Sequence, residues 1–317
     1  MTVRVAVLDD YQNVARDLAD WDALPASVEF FHEPVGDPGV LEPFEVIAAM
    51  RERTPFPRSV LAALPNLKLL VTTGMRNASI DLEAASELGI TVSGTGGAPG
   101  RAWQPTAELT WGLIFAVTRN IVSEDRSIRE GGWQRTVGVE LSGRTLGVLG
   151  LGRLGAQVAE AGRLFGMDVI AWSQNLTDEA ARAAGARRVD KRTLFAESDV
   201  LTIHSVLSER TRGLVGAEEL ALMRPTAYLI NTSRGPIVDE PALRAALHEG
   251  RIAGAGIDVF EREPLPVDDP WRSVPRTVLT PHIGYVTVGT YEVFYRETVE
   301  AIGGFLGGAP VRVLNGG

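Results

Sequence analysis

Cysteine is absent from the 317-residue chain, which excludes disulfides, thiolate metal sites and a cysteine nucleophile. Lysine is confined to Lys68 and Lys191 while arginine carries almost all the positive charge, a bias of genome composition rather than of function. Histidine is scarce too: His32, His204, His248 and His282, too scattered to suggest a metal cluster. There is no run of about 18 apolar residues, so no membrane span is expected. The N-terminal MTVRVAVLDD has acids by residue 9 and reads as a strand rather than a signal peptide. A net charge of −9 argues against general attraction to nucleic acid or anionic lipid. These absences fit a cytoplasmic protein.

What is there is ordinary globular composition, 45% hydrophobic and 22% charged, and the length favours two domains. Short apolar strand candidates lie at 3–9, 28–31, 45–50, 67–73 and 90–92, with helical or turn stretches between them. SGTGGAPGRAWQP, rich in Gly and Pro, reads as a linker, and one long apolar helix is expected over about 106–131. A second alternating series has strand candidates at 145–150, 167–172, 199–204, 227–233, 254–260 and 277–282. Alternation of this kind predicts parallel sheets with crossover helices. In the second series Leu154, Val158, Ala161 and Phe165 share one helical face. Asp239, Pro241 and Gly250 mark the start and end of another helix. A last helix is expected at about 289–307.

TLGVLGLGRLG places Gly150, Gly152 and Gly155 in G-x-G-x-x-G spacing, with Arg153 and Leu154 between the last two, at the junction of an apolar strand and an amphipathic helix. That context is what a dinucleotide loop requires: a tight turn, close backbone approach to a pyrophosphate and a helix N-terminus facing it. The next strand ends at Ser173, followed by Gln174 and Asn175, where a carboxylate would grip the adenosine ribose. No acid repels a 2′-phosphate and no adjacent cation attracts one, so NAD is favoured and NADP is not excluded.

Three ionisable residues follow strands of this series: Arg234 in SRGP, Glu263 in EREP and His282 in PHIG. In a doubly wound sheet the carboxyl ends of the strands line the ligand crevice. The set suits hydride transfer to a ketone. A histidine supplies the proton at neutral pH, a carboxylate on its far ring nitrogen fixes the tautomer, and an arginine holds a substrate carboxylate bidentately. Each residue taken alone could equally be structural or solvated.

LGVLGLGRLG, NTSRGPIVDE, GIDVFEREPLP and TPHIGY, in that order, resemble the D-isomer-specific 2-hydroxyacid dehydrogenases over nearly the whole chain. The resemblance implies an NAD(P)-dependent enzyme interconverting 2-oxoacids and D-2-hydroxyacids, with Arg234, Glu263 and His282 as its catalytic residues. It implies an α/β fold of two nested doubly wound parallel-sheet domains: a Rossmann nucleotide-binding domain at 98–286 inserted into a flavodoxin-like substrate domain of 1–97 plus 287–317. Hinges are implied near 97–100 and 285–289, the substrate in the crevice between domains, closure that excludes water, and a homodimer through the nucleotide domain and its long first helix.

The resemblance also assigns His204, Ser205, Thr232, Ser233 and Asp258 to the nicotinamide half of the cofactor site, a structural role being the alternative for Asp258. It assigns Gly74, Met75, Arg76 and Asn77 to a loop whose backbone N–H groups hold the substrate carboxylate. Arg51 aligns with an arginine used on anionic substrates, and Arg76 with Arg51 is expected to favour a second anionic group. Met75, Arg76 and Asn77 replace the small residues of the family pattern, and Tyr285 stands where a small residue is common. Two other functions stay open at this level. One is a dinucleotide-sensing regulator resembling the C-terminal binding protein corepressors. The other is phosphite oxidation. Formate oxidation is disfavoured, because formate dehydrogenases carry glutamine at the position of Glu263.

Overall fold

The computed structural model describes residues 2–97 and 103–316. The linker expected at 93–105 and the hinge expected at 97–100 fall partly outside these residues. The chain divides into two compact units, Met1–Arg101 with Thr287–Gly317, and Ala102–Val286. The second is an unbroken insertion in the sequence of the first.

The first unit is built on five parallel strands: β1 (Val3–Val7), β2 (Ala26–Phe30), β3 (Val46–Ala49), β4 (Leu69–Thr72) and β5 (Thr91–Gly94), in the order β2-β1-β3-β4-β5. This is the flavodoxin-like order. Every residue of β3 and β4 is buried, because helices cover both faces of a parallel sheet and leave no polar side for alternation to record. Ala6, Leu8, Ile47, Leu70 and Val92 pack with Phe56 and Leu61 as one core. Short helices α1 (Arg58–Ala62) and α2 (Leu82–Glu87) precede β4 and β5. Asp81 caps α2 by accepting from Ala84 N at 2.8 Å.

The second unit opens with α3 (Pro105–Thr118) and α4 (Ile121–Arg129). The single helix expected over 106–131 is therefore two. Asn120 takes a left-handed φ of 54° between them, a conformation asparagine tolerates better than most residues. A seven-stranded parallel sheet follows: β6 (Thr145–Leu149), β7 (Asp168–Trp172), β8 (Arg187–Arg188), β9 (Val200–Ile203), β10 (Tyr228–Asn231), β11 (Gly254–Ile257) and β12 (Thr277–Leu279). Helices α5 (Arg153–Leu164), α6 (Asp178–Ala183), α7 (Lys191–Glu197), α8 (Ala217–Leu222) and α9 (Glu240–His248) connect them, and α10 (Val288–Leu306) follows in the first unit. The order β12-β11-β10-β9-β6-β7-β8 is the Rossmann order with one added edge strand, and the winding reverses between β6 and β9. Leu149, Leu201, Leu229 and Ile257 face one core, while Leu146, Val148, Val200 and Ile230 face the other. Each such fully buried side chain is worth about 1.5–3 kcal/mol of apolar burial. No helix among the described residues is long and apolar enough to cross a membrane.

Candidate active site

The glycine loop lies where β6 gives way to α5. Gly150 has φ +99°, open to glycine at no steric cost. A Cβ there would sit 2.8 Å from His204 C and Ser205 N, so the turn runs hard against the segment leaving β9. At Gly155 a Cβ would lie 2.2 Å from the Gly150 carbonyl oxygen, so α5 can start only where a side chain is missing. At Gly152, by contrast, a Cβ would meet nothing within 4 Å. The space is left open at the glycine expected to let a pyrophosphate approach the backbone, beside the N-terminus of a 12-residue helix. Arg153 is exposed and Leu154 half-buried at its start. These features fit a dinucleotide pyrophosphate. Beyond β7, Ser173 is half-buried and Gln174 and Asn175 are exposed. No arginine adjoins Ser173 in the sequence, but β8 places Arg188 opposite Ala171 on the neighbouring strand, 3.7 Å from Asp178.

The ends of β9 and β10 form a hydrogen-bonded layer beside that loop. Ser233 donates its hydroxyl to the Ser205 carbonyl, and its N–H goes to Asn231 Oδ1 at 3.1 Å. Thr232 is buried and its hydroxyl is 2.8 Å from that of Thr110 in α3. His204 Nε2 lies 2.9 Å from Thr202 Oγ1. Burial lowers the pKa of His204 to about 4, so this imidazole is neutral at physiological pH.

Glu263 and His282, nineteen residues apart, meet in space. Glu263 Oε2 is 2.6 Å from His282 Nδ1, and Oε1 accepts from Phe260 N at 2.8 Å. Both side chains are partly exposed, 29% and 20%, so the pair can reach a small molecule. A carboxylate at Nδ1 assigns the ring proton to that nitrogen and leaves Nε2 for other work. Nε2 makes no hydrogen bond among the described residues. His282 has φ +54°, and its N–H donates to Asp258 O at 2.7 Å. The Tyr285 ring meets it edge-on at 5.7 Å. Arg234 is half-buried at the end of β10, its carbonyl accepting from Asn231 Nδ2 at 3.1 Å.

Asp258 was expected beside the cofactor, with a structural role as the alternative, and its bonds fit the alternative. It is fully buried. Oδ1 accepts from Thr280 Oγ1 (2.6 Å) and Ile283 N (2.8 Å), and Oδ2 accepts from Gly284 N (3.0 Å). Desolvation raises its pKa against those bonds. Asp258 thus folds the turn that carries His282.

The first unit has its own candidate loop at the end of β4. Gly74, at φ +104°, gives its N–H to Thr95 Oγ1 at 2.8 Å. Asn77 is consumed internally: Nδ2 donates to Arg51 O (2.6 Å) and Thr72 Oγ1 (2.9 Å), and Oδ1 accepts from Ser79 N (2.8 Å). Of the four backbone N–H groups expected to hold a carboxylate, that of Gly74 is engaged, while those of Met75, Arg76 and Asn77 make no hydrogen bond among the described residues; the Met75 and Arg76 side chains are exposed. Arg51, at φ +53°, lies across Gly74: a Cβ on Gly74 would be 2.2 Å from its Nη1. It donates to Thr73 O at 3.4 Å and pairs with Glu52 at 3.7 Å.

Sequence reasoning missed Glu240, whose buried carboxylate accepts from Glu261 N and Trp271 Nε1. An acid in the first turn of a helix reads as a complement to the helix dipole, and no pattern points to its distant partners.

Comparison with known proteins converges on one family. Residues 111–284 match the family model described as D-isomer specific 2-hydroxyacid dehydrogenase, NAD binding domain. Glyoxylate reductase of Aeropyrum pernix is 43% identical over 237 residues, covering 72% of this chain and 70% of that protein. The crystal structure of a putative D-3-phosphoglycerate dehydrogenase oxidoreductase from Ralstonia solanacearum superposes with a TM-score of 0.91 at 36% identity, covering 99% of this chain and 97% of the other. D-Lactate dehydrogenase from Aquifex aeolicus, complexed with NAD and lactic acid, superposes at 0.76 with 26% identity over 99% of both chains.

Proposed function

The chain belongs to the D-isomer-specific 2-hydroxyacid dehydrogenases, and from that premise we propose that it reversibly reduces a 2-oxoacid to a D-2-hydroxyacid, with His282 as acid and base. The observation that carries this is the 2.6 Å contact between Glu263 and His282 Nδ1, which leaves Nε2 as the proton donor. When bound, the reduced dinucleotide supplies the hydride to C2. His282 then gives the Nε2 proton to the carbonyl oxygen as that oxygen gains charge, and Glu263 stabilises the ring in the orientation it needs. Arg234 holds the substrate carboxylate and polarises the neighbouring carbonyl. In the oxidative direction the neutral imidazole accepts the hydroxyl proton.

NAD is the cofactor we favour, on the family model and on the NAD bound by the similar D-lactate dehydrogenase, while Arg188 beside the end of β7 keeps NADP open. Homodimerisation through the second unit is part of the same proposal, supported by Ile121, Ile128 and Trp133, exposed by 51%, 52% and 72%.

The test is a panel of 2-oxoacids (glyoxylate, hydroxypyruvate, 3-phosphohydroxypyruvate and pyruvate) assayed with NADH and with NADPH, alongside phosphite with the oxidised cofactors. Turnover of at least one oxoacid is expected. Dinucleotide binding with no turnover in any arm would replace the enzyme by a regulator.

A further inference from the structure

Arg234 and Glu263 sit on different loops, and one peptide unit lies between them. Gly235 follows Arg234 directly. A Cβ built on Gly235 would be 2.0 Å from Phe260 C and 2.4 Å from Glu261 N, so its bare Cα rests on the Phe260–Glu261 peptide. The N–H of that peptide donates to Glu240 Oε1 at 2.6 Å. One bond earlier, Phe260 N donates to Glu263 Oε1, and Glu263 Oε2 is the oxygen at His282 Nδ1.

Glu240 is the first residue of α9, 8% exposed. Its other oxygen accepts from Trp271 Nε1 at 2.8 Å, with Arg244 Nη1 at 3.5 Å. Trp271 is fully buried and meets the Phe260 ring edge-on at 6.1 Å. One carboxylate therefore grips the Glu263 loop at both ends, at Glu261 and at Trp271. Serving the helix dipole requires an acid in this turn but neither of these bonds. The loop itself spans 260–276 without a strand or α-helix, so bonds of this kind must supply its fixed shape.

We infer that Glu240 is a positioning residue: it holds the Phe260–Glu261 peptide against Gly235, so that Glu263 meets His282 Nδ1 in register with Arg234. The consequence for turnover rests on the dehydrogenase function proposed above. The consequence for the imidazole does not.

The test uses the intact chain without substrate. Four histidines make long-range 1H–15N spectra sparse enough to assign the tautomer of His282, at about pH 8, where an ordinary imidazole is neutral. Wild type is expected to hold the Nδ1–H form, and Glu263→Gln to lose that preference. Glu240→Ala should move His282 toward a mixture of tautomers and lower kcat/KM for the oxoacid by about tenfold or more, with NADH affinity within about twofold of wild type. Glu240→Gln keeps an oxygen for the Glu261 N–H and should retain the wild-type tautomer. If Glu240→Ala does not fold, Glu240→Asp, which withdraws the carboxylate by one methylene, decides the matter on the same readouts. A folded variant of either kind with the wild-type tautomer and wild-type kcat/KM overturns the inference. A wild type that turns over no oxoacid sinks the dehydrogenase proposal instead, and the tautomer experiment still decides the role of Glu240.

Discussion

At the carboxyl edge of the first sheet, Asp9, Tyr11, Arg53 and Thr54 close on one another. At the carboxyl edge of the second, Glu263 and His282 pair and leave one ring nitrogen over. The ingredients are similar, since each edge brings acids, bases and aromatic rings to the ends of parallel strands. In the first, Asp9 accepts from Tyr11 OH at 3.0 Å and Thr54 Oγ1 at 2.9 Å. Arg53 donates to Asp9 O at 2.8 Å and stacks 4.7 Å over the Tyr11 ring. Tyr291 from α10 lies 3.4 Å from Arg53 and donates to Gln12. Burial raises the pKa values of Asp9, Tyr11 and Tyr291, which keeps both phenols protonated donors. That edge is a knot that fastens loops. In the second, Asp258 takes over the turn's backbone, Glu263 takes Nδ1, and Nε2 remains. A cluster becomes a site when its hydrogen-bond stoichiometry leaves a reactive atom unspent.

Removing the unspent atom is expected to have the largest effect. His282→Ala should cut kcat by roughly 10²–10⁴-fold while the NADH dissociation constant stays within about twofold. Steady-state kinetics and fluorescence titration check this, and a matched loss of cofactor affinity would move His282 from chemistry to binding.

The two edges also treat histidine differently. His32 of the first unit is 43% exposed and 3.4 Å from Asp10. His204 of the second is neutral by burial, with pKa about 4 against an ordinary value of about 6.5. Between those pH values the unfolded chain binds a proton that the folded chain refuses. The stability from His204 is therefore complete above about pH 6.5 and falls as pH drops toward 4, by up to about 3 kcal/mol. His204→Gln should flatten this part of the acid dependence, measured as urea midpoints at pH 7 and 4.5 beside wild type. Parallel slopes would show that His204 is not the group responsible.

Within the knot, Thr54→Val removes one donor to Asp9 and should cost about 1 kcal/mol of stability, read by thermal denaturation, with turnover unchanged within about twofold. A large loss of kcat at wild-type stability would make the first edge more than a fastening. The smallest expected effect is at Arg76. Arg76→Ala should lower kcat/KM by about twofold to fivefold for an oxoacid with a second anionic group and less for a monoanion. Equal losses on both would remove Arg76 from substrate selection.

Strands were legible in the sequence wherever both faces are buried, because continuous runs such as Leu69–Thr72 and Val200–Ile203 admit few other structures. Strand β8 was not legible, since Arg187 and Arg188 are polar and only two residues long. The break at Asn120 was missed because a single left-handed residue interrupts no apolar pattern. Glycine spacing and the residues after strands pointed to the loop and to the Arg, Glu and His. The meeting of Glu263 with His282 depends on the path of the loop over 260–276, and the partners of Asp258 and Glu240 include backbone N–H groups, which no residue type announces.

The insertion of 102–286 into the first unit sets the order in which the molecule can be completed. Tyr291, Phe294, Tyr295 and Ile302 of α10 are buried in that unit, where α10 packs on β4 and β5. A ribosome adding roughly 5–20 residues per second delivers α10 about ten to forty seconds after β5. Through that interval the second unit can fold on its own contiguous chain. The first must wait with an apolar sheet face uncovered, so the nascent polypeptide is most vulnerable to aggregation at its oldest segment.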